Sequence, residues 1–297
     1  MSQKVTEQLH VAAKGLDKQP LDEIAVLLSQ GQGDAAAAVD AAAPFIAQAS
    51  RSMATCIAQG GRLHYVAAGS SGLMAAADAM ELGGTFSIPP AQIRIHMAGG
   101  LPTSAEMPGG TEDETDQIQA SLNDITAQDC VIAVSASGTT PYTLEAARLA
   151  KAAGATVIGI ANNAGTPLLK LSDHPILLAT PPEVLSGSTR MGAGTAQKIA
   201  LNSLSTLMAV ELGHVHDGMM VNLTADNAKL VTRARTIVAQ ISAVDDAVAA
   251  DALSQAGGQV KPAILIACGV GGLEAAQAQL ISSKGRLRPV LEKLKNQ

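Results

Sequence analysis

Five short apolar runs, separated by loops and stretches of helical pattern, constrain this chain more than any other feature. They read RLHYVAA from Arg62, QIRIHMA from Gln92, CVIAVS from Cys130, TVIGIA from Thr156 and PILLA from Pro175. Most are nearly continuous in apolar residues, the pattern of strands covered on both faces. Strands of that kind alternating with helices predict an α/β fold around a largely parallel sheet. Ahead of them, Ala35 to Gln59 is Ala-rich and helical in pattern, with Pro44 expected to break or kink it. From Ala193 onward the segments AGTAQKIALNSLSTLMAVELG, ADNAKLVTRARTIVAQIS and VDDAVAADALSQAG all predict helices, so the last third is expected to be helical.

The 297 residues are 47% hydrophobic but only 1% aromatic, without tryptophan, so Ala, Val, Leu, Ile and Met must fill the core. The scarcity of aromatic stacking platforms and the net charge of -6 argue against a nucleic-acid partner. Any anionic ligand must therefore be held locally. Cys56, Cys130 and Cys268 are widely spaced and odd in number, a pattern of neither a disulfide framework nor a zinc site, and they favour a reducing compartment. The first ten residues, MSQKVTEQLH, hold no signal-peptide core, and no run approaches the roughly 18 apolar residues of a membrane helix. A soluble cytoplasmic protein with no membrane partner is expected.

Two strand-to-helix loops are alike. AAGSSGLMAAADAMEL follows the first strand and VSASGTTPYTLEAARLA follows the third; each brings hydroxyls and a glycine to a helix start. Unpaired backbone N–H groups and the helix dipole favour an anion there. Thr140 suits the N-cap and Pro141 the first helical position. Neither loop has the Gly-Lys-Ser/Thr ending of a triphosphate-binding loop, so a sugar phosphate is the better expectation.

PPEVLSGSTRMGAGTAQKIALNSLST, residues 181 to 206, closely resembles the signature of the N-acetylmuramic acid 6-phosphate etherases, members of the sugar isomerase (SIS) domain superfamily. GRLHYVAAGSSG, DAMELGGTF, GGTEDE, SASGTTPY and GHVHDGMMVNLTADNAKLVTRA follow the family's order. The resemblance implies a three-layer αβα SIS domain with a five-stranded parallel sheet, spanning 1–223 with an N-terminal helical segment, and a helical C-terminal region over 224–297. It also implies a homodimer with active sites near the interface, and neither metal nor organic cofactor. The implied reaction, part of cell-wall sugar recycling, cleaves the lactyl ether at C3 of N-acetylmuramic acid 6-phosphate, giving N-acetylglucosamine 6-phosphate and D-lactate. A base takes the C2 proton, an acid protonates the departing lactate oxygen, and water adds to the unsaturated intermediate.

By the same resemblance Glu81 is the acid and Glu112 the base. The phosphate is placed on Ser137, Thr140 and neighbouring backbone, with Gly138 and Thr139 in the same loop and Ser70 and Ser71 from the first. Glu183, Ser188 and Arg190 of the 181–206 stretch are further candidates for sugar contact, Glu183 also for ring opening. The chain departs from the family in basic residues: Leu73, Thr139 and Gly192 stand where etherases usually carry Arg, Arg and Lys, and LGGT follows Glu81 where Cys-Pro-Pro-Thr is common. Those departures keep two other readings open, a SIS isomerase of a related sugar phosphate and a non-catalytic sugar-phosphate-binding regulator.

Local pattern gives several of these residues ordinary readings as well. Glu81 is expected in the last turn of a helix before Gly83 and Gly84, opposing the dipole. Thr111 with Glu114 predicts a capping box, which would make Glu112 and Asp113 first-turn acids. His214 and His216 have the spacing of one strand face, too few ligands for a metal site on their own. CGVGGLEAA from Cys268 resembles a dinucleotide loop without its full spacing and predicts a turn between helices. Lys198 is expected at the surface or an interface.

Overall fold

The computed structural model describes residues 4–107, 109–223 and 228–296. They separate into two compact units, one comprising residues up to Met80 with Pro90–Ser205, the other Glu81–Pro89 with the residues from Thr206 onward. The domain boundary expected between 223 and 224 falls beside residues 224–227, outside the described ones.

Along the chain run α1 (Leu21–Ala37), α2 (Ala43–Ala58), β1 (Leu63–Ala67), α3 (Gly69–Phe86), β2 (Ile93–Met97), α4 (Thr115–Ser121), β3 (Cys130–Val134), α5 (Pro141–Ala152), β4 (Thr156–Ala161), α6 (Pro167–Leu171), β5 (His174–Leu177) and α7 (Gly192–Glu211). All five apolar runs are strands. They form one parallel sheet in the order β2-β1-β3-β4-β5. Successive side chains point to opposite faces. On one face Val66, Val131, Ala133 and Val157 pack with Ala146, Ala147 and Ala150 of α5, Ile118 of α4 and Leu168 of α6. Helix α2 packs along β1, β3 and β5. Covering both faces leaves every residue of β1 and β3 buried, which is why those runs need no polar alternation.

The strand order creates the feature that positions the site. Ala67 at the end of β1 is level with Val134 at the end of β3. From β1 the chain turns outward to β2, and from β3 it turns the opposite way to β4. The loops after β1 and β3 therefore diverge at the topological switch point, where open α/β sheets leave a crevice beyond the strand ends.

Pro44 acts as expected: α1 ends at Ala37, a single 3-10 turn spans Asp40–Ala42, and Pro44 occupies the first turn of α2. Helix α1, however, begins at Leu21, well before Ala35. Its only buried residue is Ala35, so the segment has little of the apolar stripe by which a helix is read from sequence.

The second unit contains β6 (Val215–His216) and β7 (Met219–Met220), α8 (Ala228–Ser242), α9 (Asp246–Gln255), α10 (Val260–Ala267), α11 (Leu273–Ser282) and α12 (Leu287–Lys295). Strands β6 and β7 form a hairpin whose turn residues, Asp217 and Gly218, both have positive φ, the geometry that Asp-Gly favours. Asp245 caps α9 by accepting from the Val248 amide at 2.8 Å. The CGVGG segment is the expected turn, between α10 and α11. His216 is in β6, whereas His214 lies just before it with Nδ1 buried and without a hydrogen-bond partner. Among the described residues no group of three His, Cys, Asp or Glu side chains is placed to hold a metal, and no helix is long and apolar enough to cross a membrane.

A stacked histidine pair, His64 buried and His96 partly buried, ties the first unit to pH. His64 of β1 and His96 of β2 stack with ring centroids 5.2 Å apart, and Nδ1 of His64 lies 3.0 Å from Nε2 of His96. Burial holds each near a pKa of about 4, even though Asp129 pulls His64 the other way. Both folded values lie below the unfolded value of about 6.5, so the unfolded chain binds more protons between those limits. Stability from the pair is complete above pH 6.5 and declines as pH falls toward 4. Thermal unfolding followed across that range should show a loss of about 3 kcal/mol for each ring by pH 4, and His64→Gln with His96→Gln should flatten the slope.

Candidate active site

Both loops at the switch point are shaped by glycine. After β1, α3 starts almost at once, because Gly69 takes φ +55 and Gly72 packs where a Cβ would lie 2.8 Å from the Met97 side chain. After β3, Gly138 adopts φ +67, and a Cβ there would lie 2.5 Å from Thr166. Its amide turns back to the Ser135 carbonyl at 3.0 Å, which folds Ser135–Thr140 into a tight loop. Thr140 stands at the N-cap of α5 and Pro141 in the first turn, as expected. The Thr140 hydroxyl makes no capping bond. It pairs instead with Ser135 Oγ at 2.9 Å, while Ser137 Oγ accepts from the Thr139 amide at 3.2 Å and the Thr139 hydroxyl at 3.1 Å.

The hydroxyls of Ser135, Ser137 and Thr140 bound a cavity of about 150 Å³. Ser70 and Ser71 line it from the first turn of α3, and Ser135, Ser137 and Thr140 from the β3–α5 loop; Glu112, Thr6, Glu7 and Thr189 complete its polar lining. Helices α3 and α5 thus both begin at one cavity, and their first-turn amides and dipoles favour an anion there. Glu112 sits in a 3-10 turn, Thr111–Asp113, with Oε1 only 3.1 Å from where a Cβ on Gly69 would be. The capping box predicted for Thr111 and Glu114 is absent: α4 starts later, at Thr115, and neither segment has a side-chain cap. Glu114, in extended backbone, separates the 3-10 turn from α4.

Five of the expected residues, Ser70, Ser71, Ser137, Thr140 and Glu112, therefore meet in one cavity. Gly138 and Thr139 shape the loop without lining it. Ser188 and Arg190 do not line it either, and Arg190 is exposed. Glu183 is buried, with Oε2 accepting from the Gly192 amide and Oε1 from the Ala193 amide, each at 2.9 Å. Its carboxylate thus caps the N-terminus of α7. Gly192 leaves room for it, since a Cβ there would lie 3.0 Å from Glu183 Oε2. Glu81 is exposed and belongs to the second unit. It is not in a terminal turn, because α3 continues through Gly83 and Gly84 to Phe86, held by burial of Leu82 and Phe86 at helical spacing. Lys198 is exposed on α7, as one of its expected settings required.

Sequence reasoning missed Thr6, Glu7, Ser135 and Thr189. Ser135 and Thr189 lie within stretches already singled out, but Thr6 and Glu7 carry no motif. Among the described lining residues two side chains, Glu7 and Glu112, are acidic and none is basic. The lining thus brings neutral hydroxyls and two acidic side chains together beside two helix starts.

Comparison with known proteins follows the same line. A SIS domain matches residues 28–162. An N-acetylmuramic acid 6-phosphate etherase of Deinococcus radiodurans is 45% identical over 289 residues, covering 96% of this chain and 94% of the relative. The proteins of that name from Streptomyces avermitilis and Rubrobacter xylanophilus are 40% and 38% identical, covering 96% and 93% of this chain and 93% and 92% of their own length.

Proposed function

Because the chain belongs to the N-acetylmuramic acid 6-phosphate etherase family, we propose that the cavity at the switch point is where its etherase chemistry occurs. The protein is a carbon–oxygen lyase that cleaves the D-lactyl ether of N-acetylmuramic acid 6-phosphate, giving N-acetylglucosamine 6-phosphate and D-lactate. The observation that carries the assignment is the meeting of Ser70, Ser71, Ser137 and Thr140 with Glu112 around one cavity at two helix starts.

The phosphate binds the hydroxyls and first-turn amides, fixing the open-chain sugar at its C6 end. Glu112 takes the proton at C2, which the C1 aldehyde acidifies. The C3–oxygen bond breaks, Glu81 gives a proton to the departing lactate oxygen, and a C2–C3 double bond forms. Water then adds its oxygen to C3 and a proton returns to C2. Glu112 at the cavity supports the base role, and Glu81 is carried by the family signature alone. The etherase name shared by these relatives disfavours an isomerase or a regulator.

A volume of about 150 Å³ holds a phosphate and the near part of a sugar, less than ligand pockets usually enclose, which run from roughly 300 Å³. Completion of the site in a homodimer accounts for the difference, and the exposed apolar side chains Leu73 and Met80 of α3 support such a contact. The free thiols of Cys56, Cys130 and Cys268 support a cytoplasmic location. Replacing Ser137 and Thr140 together by Ala should raise KM about 100- to 1,000-fold, since each removes a hydrogen bond to a charged group; steady-state lactate release measures it. Turnover in heavy-oxygen water tests the reaction itself. Label at C3 of the product is expected, and D-lactate carrying the label in place of the sugar would contradict elimination followed by hydration.

A further inference from the structure

We infer that Lys4, carried over the β3–α5 loop by the N-terminal segment, supplies the positive charge of the phosphate subsite. The inference rests on the etherase reading only in taking a phosphorylated sugar as the ligand. A phosphate monoester brings a charge of about -1.5 to -2 at neutral pH. The described lining residues of the cavity offer hydroxyls and two carboxylates, Glu7 and Glu112, but no cation. A cation beside the hydroxyls would balance the charge of the monoester.

Lys4 stands at the edge of that cavity. Its Nζ donates to Thr139 Oγ1 at 2.8 Å, and Thr139 Oγ1 donates to Ser137 Oγ, a cavity-lining atom, at 3.1 Å. An ammonium has three donors, and Thr139 takes one. This lysine is also held close to an anchor. Residues Val5–Glu7 form a 3-10 turn whose Thr6 is buried at 4% exposure. The Thr6 amide donates to Asn163 Oδ1 at 3.4 Å, and Asn163 Nδ2 donates to Thr6 Oγ1 at 3.1 Å and to the Ala136 carbonyl at 3.0 Å. Asn163 therefore ties the N-terminal segment to the same loop that carries Ser137. The chain two residues from Lys4 is fixed, so only its flexible stem must adjust for the ammonium to meet a phosphate oxygen.

The test uses two probes, the muramic acid phosphate for turnover and inorganic phosphate for calorimetric binding. Lys4→Ala should raise both KM and the phosphate Kd by about 10- to 100-fold, and Lys4→Arg should stay within a few-fold of the parent. Adding Thr139→Arg to Lys4→Ala grows a cation from the loop itself and should recover most of the loss, which a merely disordered N-terminus would not allow. Unchanged phosphate Kd in Lys4→Ala overturns the inference, as does a parent protein that binds no phosphate. Lactate release with phosphate Kd independent of Lys4 sinks this inference and leaves the etherase reading standing. Lys4-dependent phosphate binding without lactate release does the reverse.

Discussion

Glu112→Gln lowers lactate release by about 10²- to 10⁴-fold, the usual contribution of a positioned general base. The amide keeps the shape of the side chain, and Glu112 lies in an exposed 3-10 turn, so the fold has no reason to change. Binding of N-acetylglucosamine 6-phosphate should persist, because the hydroxyls of Ser70, Ser71, Ser137 and Thr140 are untouched. Exchange of the product's C2 proton with deuterated solvent, followed by NMR, isolates the step: it should fall together with turnover. Exchange at the parental rate in Glu112→Gln would remove this residue from the base role, whatever happens to lactate release.

Glu183→Ala produces a large stability loss in the first unit. Removing the carboxylate leaves the Gly192 and Ala193 amides buried at the start of α7 without their acceptors, and takes away the negative charge that the helix terminus favours. Hydrogen bonds to a charged group contribute about 1.5–3 kcal/mol each, and shared geometry makes two worth less than their sum, so a loss of about 3–4 kcal/mol is expected. Denaturant unfolding measures it. Glu183→Gln, which keeps one acceptor oxygen, should cost about half as much. If Glu183→Ala left unfolding unchanged and reduced only turnover, Glu183 would serve the sugar and not the helix.

What the sequence disclosed depended on how local the cause was. The runs at Leu63–Ala67 and Cys130–Val134 are apolar throughout because the sheet buries them on both faces, so composition alone exposed them as strands. The Ser/Thr/Gly loops were legible because a tight turn into a helix demands those residues. Strand order was not, since nothing within Ala67 or Val134 encodes that their strands are neighbours; that order turned two similar loops into one crevice. The N-terminal segment was equally silent. Thr6 and Glu7 have no periodicity, and Thr6 is held by Asn163, far along the chain. The helix-capping contacts of Glu183 were hidden for a related reason: its partners are nine and ten residues away, and from sequence an acid ahead of a helix cannot be told from one facing a ligand. Glu81 was placed on the right helix but too near its end, because Gly83 and Gly84 read as a stop that the burial of Leu82 and Phe86 overrides.

A crystal structure with N-acetylglucosamine 6-phosphate bound tests the central claim most directly. The account predicts the phosphate within hydrogen-bonding distance of Ser137 Oγ and Thr140 Oγ1, beside the first turns of α3 and α5, with the Glu112 carboxylate facing C2 of the sugar. A product bound away from the β1 and β3 loops, or one whose C2 lies out of reach of Glu112, would contradict it.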